Sequence, residues 1–288
     1  MNLHNDQWAA LAFSAGLSTF IFLIFKWISK RNVNLPSAIV WNYITCVWVG
    51  SVLSTKSPVF TIKSLETPGL FPIISLGILF MGTFLFMGKA TAKSGAALSA
   101  VASKMSVTIP VLVALFVFLE QIRPMGYAGV VLALFAVFLI SYQPQSKVVI
   151  DRSLLWVFLG SGLVDTGMNL VKHAQYDNWS NLQFAVLTFT GAAITGIVYL
   201  FLTKAFKLLW DLKAFLWGSF LGVINLFSIF AIYNALDVFK SKTAVFFTLN
   251  NVTVVLLTFI LGLILGERFS KRSMLGLSLA ILAILLLG

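Results

Sequence analysis

Long runs of apolar residues, separated by short polar or basic stretches, divide the chain into ten segments. The predicted spans are 8–28, 36–54, 69–88, 94–118, 124–142, 153–173, 181–203, 214–234, 241–263 and 272–287. A helix needs about 20 mostly apolar residues to cross a bilayer. The strands of a membrane barrel would instead alternate apolar and polar residues in shorter segments. The pattern therefore predicts an all-α polytopic membrane protein with about ten transmembrane helices.

The composition supports the bilayer as the surroundings of this chain. Hydrophobic residues make up 59% and charged residues only 10%, whereas soluble domains carry about 25% charged residues. The net charge of +11 is interpreted as basic loops, which collect on the cytoplasmic side of membrane proteins, so no nucleic-acid partner is expected. The single cysteine, Cys46, excludes an internal disulfide and a four-cysteine metal site. We expect no cofactor and no metal, and the N-terminal MNLHNDQW lacks the basic region of a cleaved signal peptide.

The two halves of the chain repeat each other. A shift of 147 residues matches Lys93-Ser94 with Lys240-Ser241, Glu120 with Glu267, and Gly129 with Gly276. Near the start of each half, a shift of 146 residues matches Gly16-Leu17 with Gly162-Leu163 and Lys26 with Lys172. Because each half holds five helices, an odd number, the second half must enter the membrane inverted. We predict two inverted five-helix repeats, residues 1–147 and 148–288. Such repeats are typical of secondary transporters, whose substrate site lies near the midplane between the halves.

The Glu-x8-Gly blocks at 120–129 and 267–276 resemble the EamA-type repeats of the drug/metabolite transporter superfamily. The small-residue helix starts SGAALSA (94–100) and SKTAVFF (241–247) and the proline at Pro110 are similar to that family as well. The resemblance implies a ten-helix permease and not an enzyme. It also implies a cavity lined mainly by helices 1–4 and 6–9, with helices 5 and 10 outside it.

The residues give little support to enzymatic chemistry. The chain has no His-Glu-x-x-His pair, no glycine-rich phosphate loop and only two histidines. An intramembrane aspartyl protease needs two carboxylates within the membrane, and Asp165 is alone inside the predicted spans. We therefore predict no catalytic residues.

Two charged residues, Lys104 and Asp165, fall deep inside predicted spans. A charge at that depth costs about 2.5–3.5 kcal/mol on insertion scales, so it faces protein or water. Asn169 lies one turn after Asp165 on the same face of its helix. Pro110 is expected to kink the fourth helix and to leave the carbonyl of Ser106 free near Lys104.

Several polar residues are further candidates for the cavity wall. Asn251 is the repeat mate of Lys104, and Asn250 precedes it. The weaker candidates include Asn42, Asn225, Ser228 and Tyr233. For the asparagines, hydrogen bonding between helices is an equally good interpretation.

Two interpretations of Lys104 and Asp165 remain open. In the first, both line a transport cavity, where Lys104 binds a carboxylate and Asp165 binds an ammonium; amino acids or related zwitterions then match best, with amino acid export as the leading possibility. In the second, they form a structural ion pair. Asp165 is also the candidate for proton coupling, since desolvation disfavours the charged form of a carboxyl. Alternative functions are transport of a sugar-phosphate-like or nucleotide-sugar-like anion or an organic cation, and a non-transporting structural or sensory role.

The basic loop residues are distributed unevenly between the two sides. Six lie on the side of both termini and thirteen on the other, with Lys104 between them. The positive-inside rule then places the termini outside the cytoplasm, whereas the family resemblance suggests the reverse; the expected location is the bacterial inner membrane. Small-x3-small faces at Gly129-x3-Ala133 and Gly276-x3-Ala280 predict close helix packing or a homodimer through helices 5 and 10.

Overall fold

The helical, polytopic fold predicted from the sequence is confirmed. The computed structural model describes residues 3–54, 59–60, 69–94, 102–119, 123–141, 152–174, 179–239, 242–264 and 271–287. Within these ranges lie ten α-helices and no strand. They are α1 Leu3–Lys30, α2 Leu35–Leu53, α3 Leu70–Ser94, α4 Thr108–Phe116, α5 Pro124–Ser141, α6 Arg152–His173, α7 Asn181–Leu202, α8 Leu212–Phe239, α9 Thr243–Ile264 and α10 Lys271–Leu287. The repeat residues Glu120, Glu267 and Lys240-Ser241, and residues 95–100 of the SGAALSA segment, lie outside the described residues.

Local sequence signals start two of these helices. Asn34 caps α2 by accepting a hydrogen bond from the backbone N–H of Ser37 at 3.1 Å, and a proline stands in the first turn. Ser180 and Gln183 form a reciprocal capping box at the start of α7. These contacts satisfy backbone N–H groups that have no partner within the helix, so the helix starts follow from sequence.

Five helices, α1, α2, α3, α7 and α8, are long and apolar enough to cross a membrane. The other apolar helical stretches found in the described residues are 10–17 residues long. Between α7 and α8 the chain forms a short 3-10 helix, Phe206–Trp210. Leu209 of this turn is buried, and its carbonyl accepts a hydrogen bond from Nε1 of Trp41 at 2.7 Å. This hydrogen bond holds the connection between α7 and α8 against α2.

The helices pack in a pattern that recurs between the halves. Helix α2 packs on α8 and α7 packs on α3; likewise α1 packs on α8 and α6 packs on α3. Glycine permits close approach at corresponding crossings. A Cβ on Gly222 of α8 would clash with the Asn42 carbonyl of α2, and a Cβ on Gly77 of α3 would clash with the Thr188 carbonyl of α7. Exchanging each helix for the one five places later thus reproduces the main contacts.

Helices α5 and α10 pack closely against each other within one chain. Gly129 and Gly276 are buried, and Ala136 and Ala283 pack together with Val252 of α9. These four small residues are therefore buried within one chain, whereas the side chains of Ala133 and Ala280 in the predicted faces lie outside what the structure describes.

Candidate functional site

A cavity of about 130 Å³ lies between α1, α3, α6, α8, α9 and the chain just before α4. Its polar wall residues are Ser18, Thr83, Ser103, Lys104, Ser161, Asp165, Asn225, Ser228, Asn250 and Asn251. Asn225 is the 14th of the 28 residues of α8, so it lies near the middle of that helix. At about 1.5 Å per residue the helix is about 42 Å long and extends beyond both edges of a hydrocarbon core about 30 Å thick. The middle of α8, and the site with it, is therefore near mid-depth. A cavity of about 10–15 Å³ already holds one water, so several waters or a small solute can fit.

Lys104 reaches the cavity from a helical turn at residues 102–105, just before α4. Its Nζ donates a hydrogen bond to Oδ1 of Asn251 on α9 at 3.1 Å, and the two residues are 147 positions apart. Asn251 is held in turn, because its Nδ2 donates to the carbonyl of Phe247 at 2.9 Å. The predicted repeat mates are therefore in direct contact.

The helical segment is interrupted between Lys104 and α4. Residues 106–107 form a turn, and Pro110 stands in the first turn of α4. A proline ring clashes with the carbonyl four residues earlier, here that of Ser106. The prediction that this carbonyl is left free is wrong: it accepts the N–H of Ile109 at 2.9 Å. A tighter i to i+3 bond of the 3-10 type replaces the missing α-helical bond.

Asp165 lines the same cavity from α6. Ser161, one turn earlier, lies 3.0 Å from the hydroxyl of Ser103 in a Ser–Ser hydrogen bond that joins α6 to the segment of Lys104. Both charged residues predicted from the sequence are thus brought to one cavity, with opposite signs.

Three asparagines singled out in the sequence, Asn225, Asn250 and Asn251, also line the cavity. Two of them are held by residues behind the wall. Nδ2 of Asn225 donates to Oδ1 of Asn42 at 3.2 Å, and the hydroxyl of Ser14 donates to Oδ1 of Asn250 at 2.9 Å.

Three other candidates lie outside the cavity wall. Asn169 and Asn42 are both fully buried; Nδ2 of Asn169 donates to Oγ1 of Thr243 at the start of α9, at 3.1 Å. Tyr233 is buried in the core, where its ring lies 5.8 Å from that of Phe184. Their helices turn these side chains toward other helices, so they support the packing instead of the wall.

Serine residues also form the site, and of these only Ser228 was predicted from the sequence. Ser18 of α1 lies 3.2 Å from Ser228 of α8 in a hydroxyl–hydroxyl hydrogen bond. Ser14 and Ser18 are one turn apart, as are Ser161 and Asp165. Polar pairs at this spacing within apolar helices are the signal that could have found them.

Comparison with known proteins places this architecture in a family. Residues 152–288 match the model of the EamA-like transporter family. A protein of Haemophilus influenzae, described as uncharacterized, is 30% identical over 285 residues, which is 95% of each chain. The chain belongs to the EamA-like transporter family. This EamA-like protein also shares its fold with a chain described as "Crystal structure of protein", with a TM-score of 0.67 over 95% of this chain and 97% of the other. At 13% identity, that likeness shows the fold alone.

Membership makes the chain a multi-pass integral membrane protein of the transporter type. A transporter needs a solute site that opens to each side in turn, and the mid-depth cavity has the position for one. The EamA-like family thus supplies the class of activity.

Proposed function

We propose that the protein is a secondary transporter of small zwitterionic metabolites, with amino acids as the best match. The observation that carries this proposal is the pair of opposite charges, Lys104 and Asp165, in one mid-depth cavity. An ammonium side chain attracts a carboxylate and a carboxylate attracts an ammonium. A zwitterion presents both groups, and neither charge on the protein then remains uncompensated in the membrane.

The helix packing supports alternating access between two halves, residues 1–147 and 148–288. The main contacts recur when each helix is exchanged for the one five places later. Two pairs of repeat mates also touch: Lys104 bonds to Asn251, and the ring of Tyr43 stacks on that of Phe189 at 5.6 Å, 146 positions later. Residues related by a two-fold axis meet in this way where they lie next to the axis. Two such halves can exchange conformations and expose the cavity to either side.

A structural ion pair is the competing interpretation, and it makes a different forecast. Removing one partner of a buried pair costs about 3–5 kcal/mol, whereas removing both is milder. Lys104→Ala and Asp165→Ala should therefore be compared singly and together by melting temperature in detergent. For a binding role, we expect each single variant to stay folded and to lose substrate binding. The pair is structural if each single variant loses stability and the double variant regains both stability and transport.

Counterflow of labelled amino acids in proteoliposomes tests the activity itself. The wild-type protein is expected to exchange at least one amino acid, and Lys104→Ala is expected to weaken that exchange most for substrates that carry a carboxylate. Exchange of sugar phosphates or organic cations, with no exchange of amino acids, would move the substrate to another class. A folded sample that moves no solute from a broad panel would contradict transport of small polar metabolites.

Proton coupling through Asp165 is a separate proposal. A carboxyl at this depth can gain and lose a proton as the cavity closes and opens. Asp165→Asn keeps the shape and one acceptor oxygen but cannot ionise, so it is expected to weaken substrate binding. At substrate concentrations high enough to restore exchange, this variant is expected to show no uptake or efflux driven by a proton gradient. Gradient-driven transport that persists in this variant would exclude the role.

Membrane placement and assembly complete the proposal. We propose the bacterial inner membrane, with both termini outside the cytoplasm as the basic residues indicate.

A homodimer through α5 and α10 would use their outward faces, which carry Val131 and Phe135 of α5 and Leu275 and Leu282 of α10. The mass of the purified protein, measured by light scattering with the detergent subtracted, tests this.

A further inference from the structure

Two side chains outside the cavity make hydrogen bonds to asparagines of its wall. Ser14 and Asn42 are fully buried and do not line the cavity. Each makes a hydrogen bond to an asparagine that does line it. Since the two ends of an amide differ, one donating and one accepting, a contact on one end determines what the other end offers.

At Asn250 the contact is on the oxygen. The hydroxyl of Ser14 on α1 has one proton and two acceptors within reach, Oδ1 of Asn250 at 2.9 Å and the carbonyl of Leu11 at 3.1 Å. The contact with Asn250 is the shorter, and because an amide oxygen can only accept, Ser14 is its donor. The amide Nδ2 of Asn250 is then the end presented to the cavity, next in sequence to the asparagine that binds Lys104. This part of α9 therefore offers N–H groups beside a cation, a combination that suits a carboxylate.

At Asn225 the contact is on the nitrogen. Its Nδ2 donates to Oδ1 of Asn42 on α2 at 3.2 Å, so that Oδ1 of Asn225 is the end presented to the cavity. The same wall contains the carboxylate of Asp165. Both groups accept hydrogen bonds, and an ammonium only donates them.

We propose that Ser14 and Asn42 are positioning residues that set the hydrogen-bond polarity of the site. Ser14 turns Asn250 into a donor for the carboxylate of the solute, and Asn42 turns Asn225 into an acceptor for its ammonium. This inference rests on the proposed transport of zwitterions. It adds that selectivity depends on two residues that the solute never touches.

The test uses three ligands that differ in one charged group each. They are the amino acid with the strongest counterflow in the wild type, its decarboxylated amine and its deaminated acid; for leucine these are 3-methylbutylamine and 4-methylpentanoate. Ser14→Ala is expected to weaken inhibition of counterflow by the amino acid and the acid about three- to tenfold, the range of one ordinary hydrogen bond. Inhibition by the amine should change less than twofold, and Ser14→Thr, which keeps the hydroxyl, should restore the wild-type pattern.

Asn42→Leu is expected to give the opposite selectivity, weakening the amino acid and the amine but not the acid. The link through Asn250 is tested separately: in an Asn250→Ala background, Ser14→Ala should have no further effect on the three inhibition constants. If either Ser14→Ala or Asn42→Leu does not fold, the matching cavity variant, Asn250→Ala or Asn225→Ala, must show the same selective loss.

The outcomes separate the two proposals. Equal weakening of all three ligands by Ser14→Ala, or no weakening, overturns the positioning role while zwitterion transport stands. An effect of Ser14→Ala that persists in the Asn250→Ala background also overturns it. Absence of counterflow with every amino acid in the folded wild type overturns the proposed function and this inference together.

Discussion

Replacing Gly77 by alanine should weaken the contact between α3 and α7. A Cβ at this position would clash with the Thr188 carbonyl and the Ala192 amide, and it would lie 2.7 Å from the carbonyl carbon of Gly191. All three are backbone groups, which cannot rotate away as the end of a side chain can. The two helices would have to separate.

The size of the effect follows from this geometry. Carbon atoms pack best about 3.5–4.0 Å apart, so the helices must separate by about 1 Å. Overpacking of this kind typically costs about 1–3 kcal/mol. Alanine also favours the helix by up to about 1 kcal/mol over glycine. Gly82 in the same helix supplies a matched control, because a Cβ there meets no atom within 4 Å. The helix preference cancels between the two variants, which leaves a difference of about 1–3 kcal/mol.

The single cysteine provides the assay. Cys46 is fully buried, and its Sγ donates to the carbonyl of Gly222 at 3.0 Å. A thiol-reactive fluorescent probe therefore reports the temperature at which α2 separates from α8 in detergent. Gly77→Ala should become reactive at a temperature several degrees below that of Gly82→Ala. Equal transition temperatures for the two variants would refute the close-approach argument.

Further predictions concern a buried hydrogen bond and the orientation in the membrane. Thr243→Val removes the hydroxyl that accepts a hydrogen bond from Nδ2 of buried Asn169, which should lower the free energy of unfolding by about 1–3 kcal/mol. Adding Asn169→Leu should recover part of that loss in the same thermal assay. A double variant as unstable as Thr243→Val would contradict this. Lys213→Cys in a Cys46→Ala background should react with a membrane-impermeant maleimide only after cells are opened, because residue 213 lies on the side with more basic residues. Labelling of intact cells would reverse the orientation.

The sequence alone was sufficient for the fold class. Unbroken apolar runs of the length of a bilayer allow only helices, since every backbone polar group in lipid needs a partner within its own segment. The proline at Pro110 also predicted an interruption of the fourth helix, which the structure has at residues 106–107. The cap that Asn34 forms on α2 is likewise a local effect of its side chain. Lys104 and Asp165, which line the cavity, were recognisable as candidates because charges are rare and costly at membrane depth.

Tertiary structure decided which of the other polar residues belong to the site. Each asparagine within the membrane is expected to face protein, because exposing an amide to lipid is costly. That cost does not say whether the side chain faces a packed interface or a cavity. Asn225 and Asn250 line the cavity, whereas Asn42 and Asn169 have the same chemistry and lie behind the wall. The packing of each helix face against its neighbours makes that difference. The contacts between α5 and α10 likewise depend on which helices become neighbours, because a small-residue face is equally suited to a partner in the same chain or in another.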